Sequence, residues 1–201
     1  MYKVPTGDHY EMQKGLDEWG FQCKCAICLA SKNTPKKLLE KRKDLLGDLE
    51  ATLNAANVDT AKAERIFDAV DQTYTQPPIE VPRLVLREQY ARLVAIYAEQ
   101  RNAKKTAATS LRALESLGFI IKGAHLTSPP NETFRVEKWG LMMENTLNTF
   151  IHLCNAYSSF APHLVLKAAH CAMVVYKICF GEDTTFGEVY GKHVTTWKIR
   201  Y

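Results

Sequence analysis

The chain lacks most of the features that announce chemistry. None of its 201 residues belongs to a glycine-rich phosphate loop. No serine or cysteine has an arranged base beside it, so no nucleophilic centre can be read from the sequence. His125, His152, His163, His170 and His193 form no closely spaced ligand pair. The net charge of +4 is too weak to argue for nucleic acid. No apolar run is long enough to span a bilayer, and the N-terminus lacks the basic-then-apolar order of a signal peptide. The expected setting is therefore intracellular, in the nucleus and/or the cytoplasm. Without a secretory route, the glycosylation acceptor pattern Asn131-Glu132-Thr133 reads as chance.

What the chain does have is cysteine in an uneven distribution. Cys23, Cys25 and Cys28 fall within six residues, while Cys154, Cys171 and Cys179 are scattered through apolar helical patterns. This predicts a reducing compartment, one metal cluster and three core thiols, rather than disulfides. Zinc takes four soft ligands in a tetrahedron, and a tight turn presents thiols at spacings of two and three. Lys24 beside them favours the thiolate form. Cys25 and Cys28 have redox-motif spacing, but no strand–helix thioredoxin pattern surrounds them. The fourth ligand is not adjacent. His9, a water, a second chain or another polypeptide each remains open.

The rest reads as almost all helix. A short helix over about 8–19 leads into the cysteines. Thr34-Pro35 predicts a capped start for a helix with the stripe Leu38, Leu45, Leu46, Leu49 and Leu53. Asp59 caps a second helix with inner face Ile66, Phe67, Val70 and Tyr74, and the two form an antiparallel pair. Three prolines over 76–82 predict an extended connector. Leu86, Tyr90, Leu93 and Tyr97 share one helical face. After a turn at Arg101-Asn102, the next helix carries Ala107, Ala108, Leu111 and Leu114 and ends at Gly118. A short extended piece follows over 119–123, then a loop over 128–131. The spacing predicts a long helix from 136 to 157 with Trp139, Met143, Leu147, Phe150 and Cys154 inward. Another runs from Pro162 to Gly181, and a short one holds Phe186, Val189, Tyr190 and Val194. The pair around 84–118 is similar to a single tetratricopeptide unit, which needs neighbours to cover it. The basic residues Lys32, Lys36, Lys37, Lys41, Arg42 and Lys43 read as a solvated face. The aromatics Tyr90, Tyr97, Trp139, Phe150 and Tyr176 read as core.

The run Trp19-Gly20-Phe21-Gln22-Cys23-Lys24-Cys25-Ala26-Ile27-Cys28, with Asn33-Thr34-Pro35-Lys36-Lys37 after it and a helical domain beyond, resembles the C-terminal part of SMYD-like SET-domain protein lysine methyltransferases. It is particularly similar to the fungal type with tetratricopeptide-like tails. The resemblance implies a post-SET segment whose three cysteines share one structural zinc with a fourth cysteine from the SET core. It implies that Phe21 packs near the cofactor edge, and that Tyr2 falls where the tyrosine lining the lysine channel belongs. It divides the chain into 1–33, the end of SET and post-SET, 34–75, a helical hairpin, and 76–201, a tetratricopeptide-like domain. The glycine-rich cofactor turn and the asparagine–histidine motif of the family are not in this sequence. The expectation is thus a mostly α, non-catalytic portion, using S-adenosylmethionine only with a complete SET core. It could be a fragment, a truncated product or a degenerate paralogue. Expected partners are proteins or peptides bound through the helical array, chromatin proteins among them, with neither membrane nor direct nucleic-acid binding. The alternative is a stand-alone helical interaction scaffold in which the cysteines merely close a loop.

Overall fold

The structure is a computed structural model that describes residues 9–125, 133–181 and Phe186. Its order is α1 (His9–Asp17), α2 (Ala26–Asn33), α3 (Lys36–Asn54), α4 (Thr60–Asp71), α5 (Arg87–Glu99), α6 (Ala103–Ser116), β1 (Ile120–Lys122), β2 (Arg135–Lys138), α7 (Glu144–Phe160) and α8 (Pro162–Phe180). A turn of 3-10 helix at Leu84–Leu86 leads into α5. The chain is mostly helical, with the cysteine cluster ahead of the helical part, as the periodicities predict.

Helix ends follow local chemistry. The Asp59 carboxylate accepts the Lys62 N–H at 2.8 Å and starts α4, and the Asn102 amide oxygen accepts the Lys105 N–H at 3.2 Å and starts α6. Pro162 occupies the first turn of α8, where its missing N–H costs nothing. After α6 the chain enters the left-handed region at Gly118 (φ 89°). The Gly118 and Phe119 N–H groups return to Glu115 O and Leu114 O, which closes the helix and drops Phe119 into the core.

Successive helices pack in the pairs α3 with α4, α5 with α6, and α7 with α8. Among the described residues two apolar cores result. One joins Leu49, Leu53, Ile66, Phe67 and Val70 to Leu86, Tyr90, Leu93 and Tyr97, with Phe67 stacked on Tyr90 at 4.1 Å between ring centres. The other joins Leu111, Leu114 and Phe119 to Leu147, Phe150, Cys154, Tyr157, Ala169 and Val175. Ordering this many apolar side chains away from water is the main favourable contribution to folding.

Several local expectations are corrected. The helix expected from 136 begins only at Glu144, and Arg135–Lys138 instead pairs antiparallel with Ile120–Lys122. Gly140 explains this: its backbone presses against Leu117 O and the Phe119 ring, an approach a side chain would block. The proline-rich connector is a turn rather than extended, because the Glu80 and Val81 N–H groups both donate to Pro77 O at 3.0 Å. Thr34 does not cap α3. Its hydroxyl donates to Ala30 O at 2.7 Å and finishes α2, a helix between the cysteines and Thr34 that the expected element order does not contain. Ala108 faces solvent, Leu38, Leu45 and Leu46 are half-buried, and Cys179 is half-buried rather than core. Arg42 leaves the solvated basic face entirely and is buried. α8 is long and apolar enough to cross a membrane by length and composition, contrary to the expectation that no run is, though Ala168, Ala172 and Val175 on its inner side are buried in the second core. The loop over 128–131, Val189, Tyr190 and Val194 lie outside the described residues, while Phe186 is buried against Tyr176.

Candidate metal centre

The three clustered cysteines are brought together by a turn and a helix start. Cys23 is on an irregular segment leaving α1. Cys25 precedes α2 in extended conformation, and its carbonyl accepts the Leu29 N–H at 2.9 Å. Cys28 lies in the first turn of α2 and is buried. The three Sγ atoms all lie within 4.8 Å of one another. Zinc–thiolate bonds of about 2.3 Å place tetrahedral sulfurs nearly 4 Å apart, so small side-chain rotations bring the trio to one metal.

Electrostatics divide the thiols. Cys23 is held below the ordinary thiol range, chiefly by a hydrogen bond with the Cys25 backbone and then by the Cys28 thiol. Burial, reinforced by the neighbouring thiols, pushes Cys28 up to about 12. A buried thiol that resists losing its proton is what a dication overcomes on binding, with release of that proton.

Among the described residues no fourth histidine, cysteine or carboxylate joins the trio. His9 opens α1, and its side chain falls outside the described part. Tyr2 is outside the described residues. Phe21, two residues before Cys23, is 55% exposed, and Trp19 and Leu29 of the same segment are exposed as well. The other thiols stay away: Cys154 and Cys171 are core residues of α7 and α8, and burial pushes Cys171 up to about 12. His152 is lowered by burial, and His125 meets Glu115 at 3.0 Å. His193 lies outside the described residues. Tyr90, Tyr97, Phe150 and Tyr176 are buried and Trp139 is half-buried, so these rings belong to the core as expected.

Sequence reasoning missed two polar features, one at this centre and one in the helical body. Gln13 of α1 hydrogen-bonds the backbone on both sides of Gln22. Arg42 and Arg83 stack on Tyr74, with guanidinium carbons 3.6 and 3.8 Å from the ring centre.

No protein-family model matches the chain. The chain is 33% identical over 192 residues to a protein named "Methyltransferase" from Gibberella zeae, an alignment that covers 92% of this chain and 26% of that protein. The chain thus spans about a quarter of the length of this relative. A cysteine trio suited to a metal, ahead of a mostly helical body, belongs to a chain with a methyltransferase-like relationship.

Proposed function

We propose that this chain is the C-terminal portion of a SET-domain protein lysine methyltransferase, a post-SET segment followed by a tetratricopeptide-like helical domain that binds protein partners. The observation that carries the reading is the conjunction of two facts: nearly the whole chain aligns with a protein named a methyltransferase, and its clustered thiols precede a helical body. Cys23, Cys25 and Cys28 would hold one structural zinc, with the fourth ligand supplied by a SET core. Phe21, whose ring is open to solvent, would face the cofactor edge, and Tyr2 would line the lysine channel. S-adenosylmethionine would supply the methyl group for transfer to a lysine amine. Such transfer needs donor and amine held in line, which takes residues beyond these. On this reading residues 1–33, 34–75 and 76–201 are three units: the zinc segment, a hairpin and the interaction domain.

A chimera tests this. The present chain replaces the matching 192 residues of the Gibberella protein, and transfer of labelled methyl to lysine in protein substrates is measured. Retained transfer that falls at least about 10-fold in Cys25→Ser fits the account, since changing even the residues that orient metal ligands commonly costs this much. Lysine transfer unaffected by Cys25→Ser, or none with a folded chimera, contradicts it.

One observation favours a second reading, an interaction scaffold. Leu166, Ile178 and Phe180 of α8 are exposed large apolar side chains, set among the exposed His163, Lys167, His170 and Lys177. In that case the isolated chain binds its partner with Cys25→Ser making no difference.

A further inference from the structure

α1 ends in a left-handed turn at Gly20 (φ 63°). The Gly20 N–H donates to Asp17 O at 3.0 Å and the Phe21 N–H to Leu16 O at 3.2 Å. This pair of bonds closes the helix and turns the chain out of it. The departing segment, 21–23, passes Gln13, eight residues earlier on the same helix. Gln13 Nε2 donates to Phe21 O at 2.8 Å and to Asp17 Oδ1 at 2.9 Å, while its Oε1 accepts the Cys23 N–H at 3.3 Å. The orientation of the amide is fixed by chemistry. The Asp17 carboxylate and the Phe21 carbonyl only accept, and the Cys23 N–H only donates. Exchanging the amide oxygen and nitrogen would set like against like at all three contacts.

We propose that Gln13 is a positioning residue for the cysteine centre: its carboxamide grips the backbone on either side of Gln22 and so delivers Cys23 Sγ to Cys25 and Cys28. The inference rests on the reading of the three cysteines as a metal centre. Cys25 and Cys28 are placed by α2, whereas Cys23 belongs to no helix or strand. Without the grip, the segment carrying Cys23 has to be ordered when the metal binds, and that lost freedom weakens binding. Outer residues that orient ligands commonly matter to affinity by 10- to 100-fold.

The test uses the whole chain and the metals alone, zinc and cobalt, by competition against a chelator. Wild type is compared with Gln13→Ala, Gln13→Glu, and Lys14→Ala as an exposed control on the same helix. Gln13→Ala is expected to bind about 10-fold more weakly, with helical content unchanged. Gln13→Glu, which keeps the acceptor for Cys23 but sets a carboxylate against Asp17 and Phe21 O, is expected to be weakened too, and it decides the matter if Gln13→Ala disturbs the fold. Lys14→Ala is expected to match wild type. A merely structural role for Gln13 would not change the visible cobalt–thiolate spectrum. That change is expected in Gln13→Ala. Unchanged affinity in the folded Gln13 variants overturns the proposal while leaving the metal centre standing. A wild type that takes up neither metal overturns the metal reading and this proposal with it.

Discussion

Tyr74 sits between two guanidinium groups, and the consequences are local and large. Arg83 is 2% exposed. It donates to Asp71 Oδ1 at 2.9 Å, to Gln76 O at 2.6 Å, and to Val81 O. Arg42 donates to Thr73 Oγ1 at 2.8 Å and Thr73 O at 2.9 Å. Together they satisfy the carbonyls of a connector that has neither helix nor sheet to do so. Removing Arg83 leaves two of those carbonyls without their donor and removes a cation from the ring face. Arg83→Ala is therefore expected to lower unfolding free energy by about 3 kcal/mol, read from the urea midpoint, while Lys43→Ala on the exposed side of α3 leaves it within about 0.5 kcal/mol. The sequence could not separate Arg42 from its lysine neighbours, because Thr73 and Tyr74 lie more than thirty residues away and nothing local marks the pairing. The cysteines are the opposite case. Their identity and spacing are local, so the trio was legible, whereas Gln13 is a common polar residue whose role appears only once the chain turns at Gly20.

At the level of helices, the regions read correctly from sequence are those where burial and period agree. Leu86, Tyr90, Leu93 and Tyr97 are all buried along one face of the Leu84–Glu99 stretch. The misread region is instructive. Val136, Trp139, Met143, Leu147, Phe150 and Cys154 step by three and four residues, a helical pattern. Yet the first three belong to β2 and the loop after it, since pairing with β1 and the close approach at Gly140 override the period. A Cβ at Gly140 would lie 2.4 Å from Leu117 O and 2.7 Å from Phe119 N, both backbone atoms. Gly140→Ala is expected to cost about 2 kcal/mol in stability, measured by chemical denaturation. Gly47→Ala, on a helix with open space around it, is expected to be neutral or stabilising.

Three helices are also tied together by charge. Glu64 on α4 accepts from Tyr97 of α5 at 2.9 Å and from Lys105 of α6 at 2.8 Å. Burial alone would raise the Glu64 carboxyl, but the bonds from Lys105 and Tyr97 and the Lys105 charge outweigh it and hold it below its ordinary value of 4.5. A carboxyl depressed in the folded state contributes stability above its unfolded value and loses that contribution as pH falls through the folded one. The stability gap between wild type and Glu64→Gln is therefore expected to be present at neutral pH, at up to about 1 kcal/mol for a partly exposed pair. It is expected to close as pH falls below 4.5. Denaturant midpoints of both proteins across that range measure it, and a gap that widens in acid contradicts the assignment.

At the scale of the whole molecule, the helical body and the cysteine segment make different demands. The body has its own two cores, so Cys25→Ser is expected to leave helical content and the main unfolding transition intact. The segment 19–29 exposes Trp19, Phe21 and Leu29 and packs α1 mainly on α2. Its order depends on short-range hydrogen bonds and, in this account, on a metal. The mostly helical architecture was legible because helical period pervades the chain. The methyltransferase connection was legible only through the cysteine run, and a sequence relative spanning far more than this chain now supports it in that coarse form. The most direct test of the central claim is the metal content of the purified full chain after saturation with zinc and removal of the excess, for wild type and Cys25→Ser. With water in the fourth position where no SET core supplies its ligand, the account predicts about one zinc per chain held by the three thiolates, lost in the variant. A folded wild type that retains no zinc, or equal zinc in both proteins, would contradict it.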